Sequence, residues 1–388
     1  MTLPIPPPSG AASTVNQRER FSAAYSVLER AVEERAFPGA AFGVLLDGQI
    51  LALDGVGRFT YGSDSPAVAP HTIYDLASVT KVAATTAAAM LLYDRGRLDL
   101  ERPLGDILAG FVIGSVRDGR SESAPSSPID RCRVTLRNLL THSSGLPAYA
   151  RLFETSRDAA ALLNACLHIP LEAPPCTRSE YSDIGFILLG KAIEILSKDP
   201  LESFCTREVF TPLGMTATRY KPPPSWRERI PPTVDDTTFR YRLIQGEVHD
   251  ENCSILGGVS GHAGVFSNVP DLLAFAACIL AGGKAEGGRQ IFQSKTIDLF
   301  ASRQNRPQGA SWALGWDTPS GESSSGHYFS PNSIGHLGYA GTSLWIDRDR
   351  ALAIVLLTNR TWPDRSSQAI RTVRPAFHDA VRGALTFT

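Results

Sequence analysis

Residues 72–81 read Thr72-Ile73-Tyr74-Asp75-Leu76-Ala77-Ser78-Val79-Thr80-Lys81 and run into an Ala-rich apolar stretch ending at Tyr93. The first five residues have strand character. The periodic run from Ser78 onward predicts a helix, closed by Gly96. A strand-to-helix turn sets Ser78 at a helix N-terminus, where free backbone N–H groups and the dipole favour developing negative charge. Residues three apart share a helical face, so Lys81 falls beside the Ser78 hydroxyl. Serine is a weak nucleophile until a neighbour takes its proton, and a desolvated lysine amine can do so. The pattern alone is not specific, because about one or two Ser-x-x-Lys arise by chance in a chain of this length. Of the six lysines, Lys81 alone has a serine three residues before it.

Composition narrows the class. The chain has 388 residues, 43% hydrophobic and 20% charged, with a net charge of −1. This describes a globular protein long enough for two domains, or for one domain with an insertion. Basic residues are spread along the chain, which predicts neither a nucleic-acid nor a membrane partner. Residues 1–16 are Pro-rich, lacking the basic start and apolar core of a signal peptide, and are expected to be a disordered leader of a cytoplasmic protein. Six scattered cysteines without a Cys-x-x-Cys pair are expected to be reduced thiols.

Outward from the Ser78 segment, residues 17–35 carry Phe21, Tyr25, Leu28 and Val32 at helical spacing. Residues 39–58 give two apolar runs joined by Asp47-Gly48, a hairpin signal. Residues 342–347 and 351–358 flank another turn, Asp347 to Arg350, and 364–385 read as a C-terminal helix. The middle reads as helices and irregular connections: a polar loop at 117–131, a helix ending in a turn over 136–149, helices over 185–198 and 271–283, and Pro-rich 221–232, where no regular structure is expected. The expected fold is therefore α/β of the α+β type. An antiparallel sheet domain (17–80 plus 325–388) is flanked by N- and C-terminal helices, with a mainly helical domain (81–324) inserted and the site at their junction.

Three further segments carry polar chemistry. Tyr181-Ser182-Asp183 precedes the 185–198 helix. A tyrosine beside a lysine ammonium would have a lowered pKa and serve as a base, while Ser182 or Asp183 reads equally well as a helix cap. The segment 335–342 (Gly335-His336-Leu337-Gly338-Tyr339-Ala340-Gly341-Thr342) has three glycines that admit a close ligand, or is a loop entering a strand. His249, Asp250 and His262 are the residues from which a metal site would have to be improvised. Neither His-Glu-x-x-His nor Gly-x-Ser-x-Gly occurs, and no metal or cofactor is expected.

Ser-x-x-Lys, then Tyr-x-Asp about a hundred residues on, then His-x-Gly near the end is an order of motifs that resembles the class C β-lactamase-like serine hydrolases. Low-molecular-mass penicillin-binding proteins, D-aminopeptidases and lactamase-like esterases belong to this group. The resemblance runs from about residue 18 to the end and includes 139–147 (Leu-Leu-Thr-His-Ser-Ser-Gly-Leu-Pro), 257–267 and 341–347. It implies a β-lactamase/transpeptidase-like fold with Ser78 as acylated nucleophile, Lys81 as its proton partner and Tyr181 as base. It also implies an oxyanion hole from the backbone N–H groups of Ser78 and Tyr339, and substrate contacts from Asp183, His336 and Gly338. Two positions depart from the lactamase pattern. Asp183 stands where Asn is usual, and His336 where a lysine helps hold a β-lactam carboxylate, so anion binding is expected to be weak and pH-dependent. The expected activity is hydrolysis of a small ester, amide or β-lactam, carboxylesterase-type first. The alternatives are a D-aminopeptidase or D,D-peptidase, a weak β-lactamase, and a non-catalytic penicillin-recognising protein.

Overall fold

The computed structural model describes residues 14–113 and 128–386. Strands β1 (Gly39–Leu46) and β2 (Gln49–Gly57) form the N-terminal hairpin. Its turn is Asp47-Gly48 with both φ angles positive, the twist that a two-residue hairpin demands. Beyond them come the short strands β3 (Tyr74–Asp75), β4 (Arg219–Tyr220), β5 (Val234–Asp236), β6 (Arg242–Ile244) and β7 (Val265–Ser267). Near the end lie β8 (Ile334–Leu337), β9 (Ser343–Asp347) and β10 (Leu352–Thr358). The main sheet is antiparallel in the order β2-β1-β10-β9-β8, so both ends of the chain build it.

Both faces of this sheet are covered. Leu352, Ile354 and Leu356 of β10 join Phe42 and Val44 of β1 under helices Ser22–Glu33 and Ile370–Gly383. The ring of Phe42 meets Tyr25 and Phe377 edge-on, at centroid separations of 5.2 and 5.4 Å. The alternate residues Ala353, Val355 and Leu357 face the larger core with helix Val269–Leu280. Gly43 admits that helix, since a Cβ there would meet the side chains of Val269 and Leu273. Double burial is why β10 reads as an unbroken apolar run rather than an alternating one.

The larger core continues through helices Ala87–Asp94, Asp183–Ser197 and Leu201–Cys205. Strands β7 and β4, from the stretch read as mainly helical, form a three-stranded sheet with β3, and β5 and β6 form a two-stranded one within that stretch.

Several local expectations change. Part of the expected leader is helical, as Thr14–Arg20, and residues 1–13 lie outside the described residues. Of the polar loop at 117–131, residues up to 127 lie outside as well, and Pro128–Cys132 is helical. The 136–149 helix is only Leu136–Leu140, closed at its start by a reciprocal Thr135–Asn138 capping box. Pro224–Arg229 is a 3-10 turn, which tolerates proline at its first position. The C-terminal helix begins at Ile370. Residues 335–337, for which a strand-entry loop is one of the two sequence readings, belong to strand β8, whose glycine and histidine hid it. Among the described residues no helix is long and apolar enough to cross a membrane.

Candidate active site

The segment after β3 is three helical pieces rather than one: a 3-10 turn at Ala77–Val79, a π-helical stretch at Lys81–Thr86, and α-helix from Ala87. Ala77 has φ +47°, a left-handed conformation costly for a residue with a Cβ. Asp75 Oδ1 accepts from the Ala77 N–H at 2.8 Å and fixes that turn, while Oδ2 accepts from the His249 N–H at 2.7 Å. Burial pushes the Asp75 carboxyl up to about 6. Ser78 thus projects from a strained, braced corner.

Lys81 is fully buried, with its Nζ 3.0 Å from Ser78 Oγ, 2.6 Å from Tyr181 Oη, 2.6 Å from Asp183 Oδ1 and 3.2 Å from the His262 carbonyl. Four oxygens surround a nitrogen that carries at most three protons. Burial lowers the Lys81 pKa from its ordinary 10.5, and the Asp183 carboxylate opposes that fall. Tyr181 Oη is also 2.7 Å from Ser78 Oγ and 3.1 Å from Asp183 Oδ1. Burial first, and then the Asp183 charge, raise the Tyr181 pKa well above 10. This is opposite to the expected lowering: the lysine next door is itself disfavoured as a cation, so the resting tyrosine is a phenol.

Helix Asp183–Ser197 places these two residues. Ser182 is its N-cap, accepting from the Gly185 N–H at 3.0 Å, and Asp183 opens the first turn, where the dipole favours a carboxylate. Capping and site placement, weighed as alternatives in the sequence, are both satisfied by adjacent side chains. His142 supports them: its Nδ1 accepts from the Ser182 N–H at 3.0 Å, and its ring lies 4.8 Å from that of Tyr181 and 4.3 Å from that of Trp312. Neither His142 nor Trp312 was singled out from the sequence. The 139–147 resemblance held the only signal for His142.

The opposite wall is the turn between β8 and β9. Thr342 Oγ1 donates to the Leu76 carbonyl at 2.8 Å, bringing this turn against the Ser78 corner. A Cβ on Gly338 would collide with Thr342 Oγ1 and the Leu76 carbonyl oxygen, so the close approach requires glycine. Buried Arg374 clamps the turn from behind, donating to the Gly338 and Thr342 carbonyls. Ser78 lies on one of these two abutting turns and Tyr339 on the other.

His336 is buried, and its Nδ1 lies 2.8 Å from the Leu337 carbonyl. A carbonyl only accepts, so Nδ1 carries the hydrogen and Nε2 a lone pair that has no partner among the described residues. Burial pushes the His336 pKa down to about 3. The expected pH-dependent cation is therefore a neutral acceptor throughout the ordinary pH range.

His249, Asp250 and His262 do not converge. His262 is bonded to Asp250, whereas both ring nitrogens of His249 lack partners among the described residues. Among the described residues no three His, Cys, Asp or Glu side chains are grouped so as to hold a metal ion.

A β-lactamase family model matches residues 26–376. The N-acetylmuramyl-L-alanine amidase of Bacillus subtilis (strain 168) is 33% identical over 355 residues, covering 84% of this chain and 77% of that protein. A putative D-alanyl-D-alanine carboxypeptidase of Escherichia coli O157:H7 is 30% identical over 358 residues, covering 84% and 79%. Two solved structures share the fold at a TM-score of 0.70. One is EstCE1, a hydrolase with promiscuous acyltransferase activity, at 20% identity, covering 94% of this chain and 100% of that one. The other is a penicillin-binding protein homologue from Caulobacter crescentus, at 18% identity, covering 95% and 98%.

Proposed function

The chain belongs to the β-lactamase family of serine hydrolases, and from that premise we propose that it cleaves an amide through an acyl-enzyme on Ser78. The observation that carries this reading is Tyr181, kept as a phenol 2.7 Å from Ser78 Oγ and 2.6 Å from Lys81 Nζ. An amine leaves only when protonated, whereas an activated alkoxide leaves without help.

In this reading Ser78 Oγ attacks the carbonyl carbon as its proton passes to the Lys81 amine. The N–H groups of Ser78 and Tyr339 hold the oxyanion. The proton returns from Lys81 by way of Tyr181 to the leaving nitrogen, the C–N bond breaks and the amine departs. Water then repeats the sequence on the acyl-enzyme, losing its proton along the same path and releasing the acid and free Ser78. Asp183 orients Lys81, Gly338 lets the β8–β9 turn close on the corner, and His336 contributes the neutral wall. The division into a sheet domain (17–80 with 325–388) and an inserted domain (81–324), with the site at the junction, is part of the same proposal.

The two relatives described above carry names of two amide-cleaving types. Neutral His336 withholds the charge that a substrate carboxylate beside the scissile bond would need, which favours a muramyl–alanine type of amide over a C-terminal D-alanyl-D-alanine or a β-lactam. Carboxylesterase-type activity is the second reading, favoured by that same uncharged wall. N-acetylmuramyl-L-alanyl peptides, D-Ala-D-Ala peptides and short-chain nitrophenyl esters compared side by side test the choice. Turnover of the first, exceeding that of the second, is expected, and turnover of esters alone would replace the amidase reading with the esterase one.

Tyr181→Phe separates the two steps of proton transfer. Amide turnover is expected to fall by about two to four orders of magnitude, the usual weight of a proton-transfer partner. Turnover of a nitrophenyl ester, whose leaving group needs no proton, should fall at least about tenfold less. Equal losses on both substrates would remove Tyr181 as the leaving-group acid.

A further inference from the structure

His262 and Asp250 are put to a use other than metal binding. Asp250 Oδ1 accepts from His262 Nε2 at 2.9 Å and from the Cys253 N–H at 2.7 Å, capping helix Glu251–Ile255. Because a carboxylate accepts, Nε2 carries a hydrogen, and in the neutral ring Nδ1 then accepts from the Ser260 hydroxyl, 2.8 Å away. Both ring nitrogens are satisfied, and the side chain is buried.

The main chain here is held carbonyl by carbonyl. Tyr220 Oη donates to the Ser260 carbonyl at 3.2 Å, Thr85 Oγ1 to the Gly261 carbonyl at 2.7 Å, and Lys81 Nζ lies 3.2 Å from the His262 carbonyl. On either side the backbone is permissive: Gly257, Gly258 and Gly264 have φ of +80°, +80° and +113°. Side-chain ties hold the stretch between these glycines on its course, and the imidazole supplies two of them.

The charged and titratable groups facing Lys81 come from several elements. Asp183 and Tyr181 lie in front, Asp250 and Cys253 act from the helix capped by Asp250, and His142 and His336 are held neutral by burial. Of the four oxygens around Nζ, only the His262 carbonyl is a main-chain atom.

We propose that His262, tied by Asp250 and Ser260, is a positioning residue that anchors Lys81 through its own main-chain carbonyl and keeps the amine aimed at Ser78. The imidazole transfers no proton. This rests on the reading of Lys81 as the proton acceptor from Ser78.

The test uses full-length protein and a neutral nitrophenyl ester, with kcat and KM followed across pH. His262→Ala is expected to lose about 100-fold in kcat with KM little changed, the cost of misplacing a catalytic group by about an ångström. His262→Gln, whose amide can donate to Asp250 and accept from Ser260, is expected to recover to within about fivefold of wild type. Asp250→Asn should lower kcat and also move the rising limb of the pH profile to lower pH, because a negative charge facing Lys81 is lost. An unaltered kcat in His262→Ala would overturn the proposal. So would a His262→Gln as impaired as the alanine variant, since that would mean the ring titrates in the reaction. Should His262→Ala not fold, Ser260→Ala removes one tie and leaves the ring. A loss of about three- to tenfold in kcat is then expected, and none would refute the tie. Labelling of wild-type Ser78 by a fluorophosphonate keeps the outcomes apart. Without labelling the hydrolase reading falls and takes this proposal with it. With labelling and wild-type behaviour in the His262 variants, only the positioning role is lost.

Discussion

Ser78→Ala is expected to reduce kcat/KM by about four orders of magnitude or more and to abolish the covalent adduct with a fluorophosphonate, as removal of a nucleophile does when its partners act as a unit. The loss should come without unfolding. Ser78 Oγ is approached by Lys81 and Tyr181, and when it is gone both keep Asp183 as a partner, at 2.6 and 3.1 Å. No buried charge is stranded, so the stability change should stay near the ~1 kcal/mol of a single hydrogen bond. Intact-protein mass after brief exposure to the reagent measures the first effect, and urea unfolding the second. Retention of a full-mass adduct in Ser78→Ala would move the nucleophile elsewhere. A fluorescent penicillin is expected to label the wild type slowly or not at all, because neutral His336 gives its carboxylate no cation. Rapid, stable penicillin labelling would favour the penicillin-recognising alternative.

Lys81→Ala carries the second-largest expected effect, a fall in kcat of about two to four orders of magnitude. In the wild type the productive form is the neutral amine, so kcat/KM should rise with pH through the Lys81 pKa and level off below the ordinary 10.5. Asp183 holds that pKa up, so Asp183→Asn should displace the rising limb to lower pH, and in Lys81→Ala the limb should vanish. A limb that ignores Asp183→Asn would mean another group accepts the proton from Ser78. Stability follows the same logic. Burial disfavours the ammonium in the folded chain, so the penalty is full below the folded pKa and is relieved as pH rises toward 10.5. Removing Lys81 alone leaves the Asp183 carboxylate, 16% exposed, without its cation. Replacing both, as Lys81→Met with Asp183→Asn, should match or exceed wild-type stability by about 1–4 kcal/mol, because a buried ion pair repays its desolvation poorly. A double variant markedly less stable than the wild type would show the pair to be structural rather than retained for chemistry.

Much of this was legible in the sequence because it rests on local rules. Asp47-Gly48 announced the first hairpin, and the helical spacing of Phe21, Tyr25 and Leu28 announced the helix packed on it. The candidate site was legible at Ser78, Lys81, Tyr181 and Asp183, whose side chains the structure brings together. What escaped depends on long-range contact. Strand β8 has no strand-like composition and is defined by pairing with β9. The direction of the Tyr181 shift could not come from proximity to Lys81, since the burial that shapes both groups belongs to the folded cleft. His336 reads in the sequence as a weak, pH-dependent anion holder because the enclosure that keeps it neutral is a tertiary fact. The role of His262 stayed open in the sequence, because a histidine among glycines shows nothing of the carboxylate that will hold it.

The position of β10 has a bearing on biosynthesis. In the order β2-β1-β10-β9-β8 the last strand made is the central one, hydrogen-bonded to β1 along 40–46 and to β9 along 343–347. Until residues 352–358 have left the ribosome, the N-terminal hairpin has no neighbour on one side, and the turn that carries Tyr339 has no sheet to anchor it. A nascent chain can therefore assemble Ser78 and Lys81 early, but it completes the cleft only once residues 352–358 have emerged. Contacts spanning some three hundred residues make that last step slow relative to local helix formation. The exposed edge of β1 makes the waiting chain dependent on protection from aggregation. A message truncated before codon 352 should yield an insoluble and inactive product rather than a weakened enzyme.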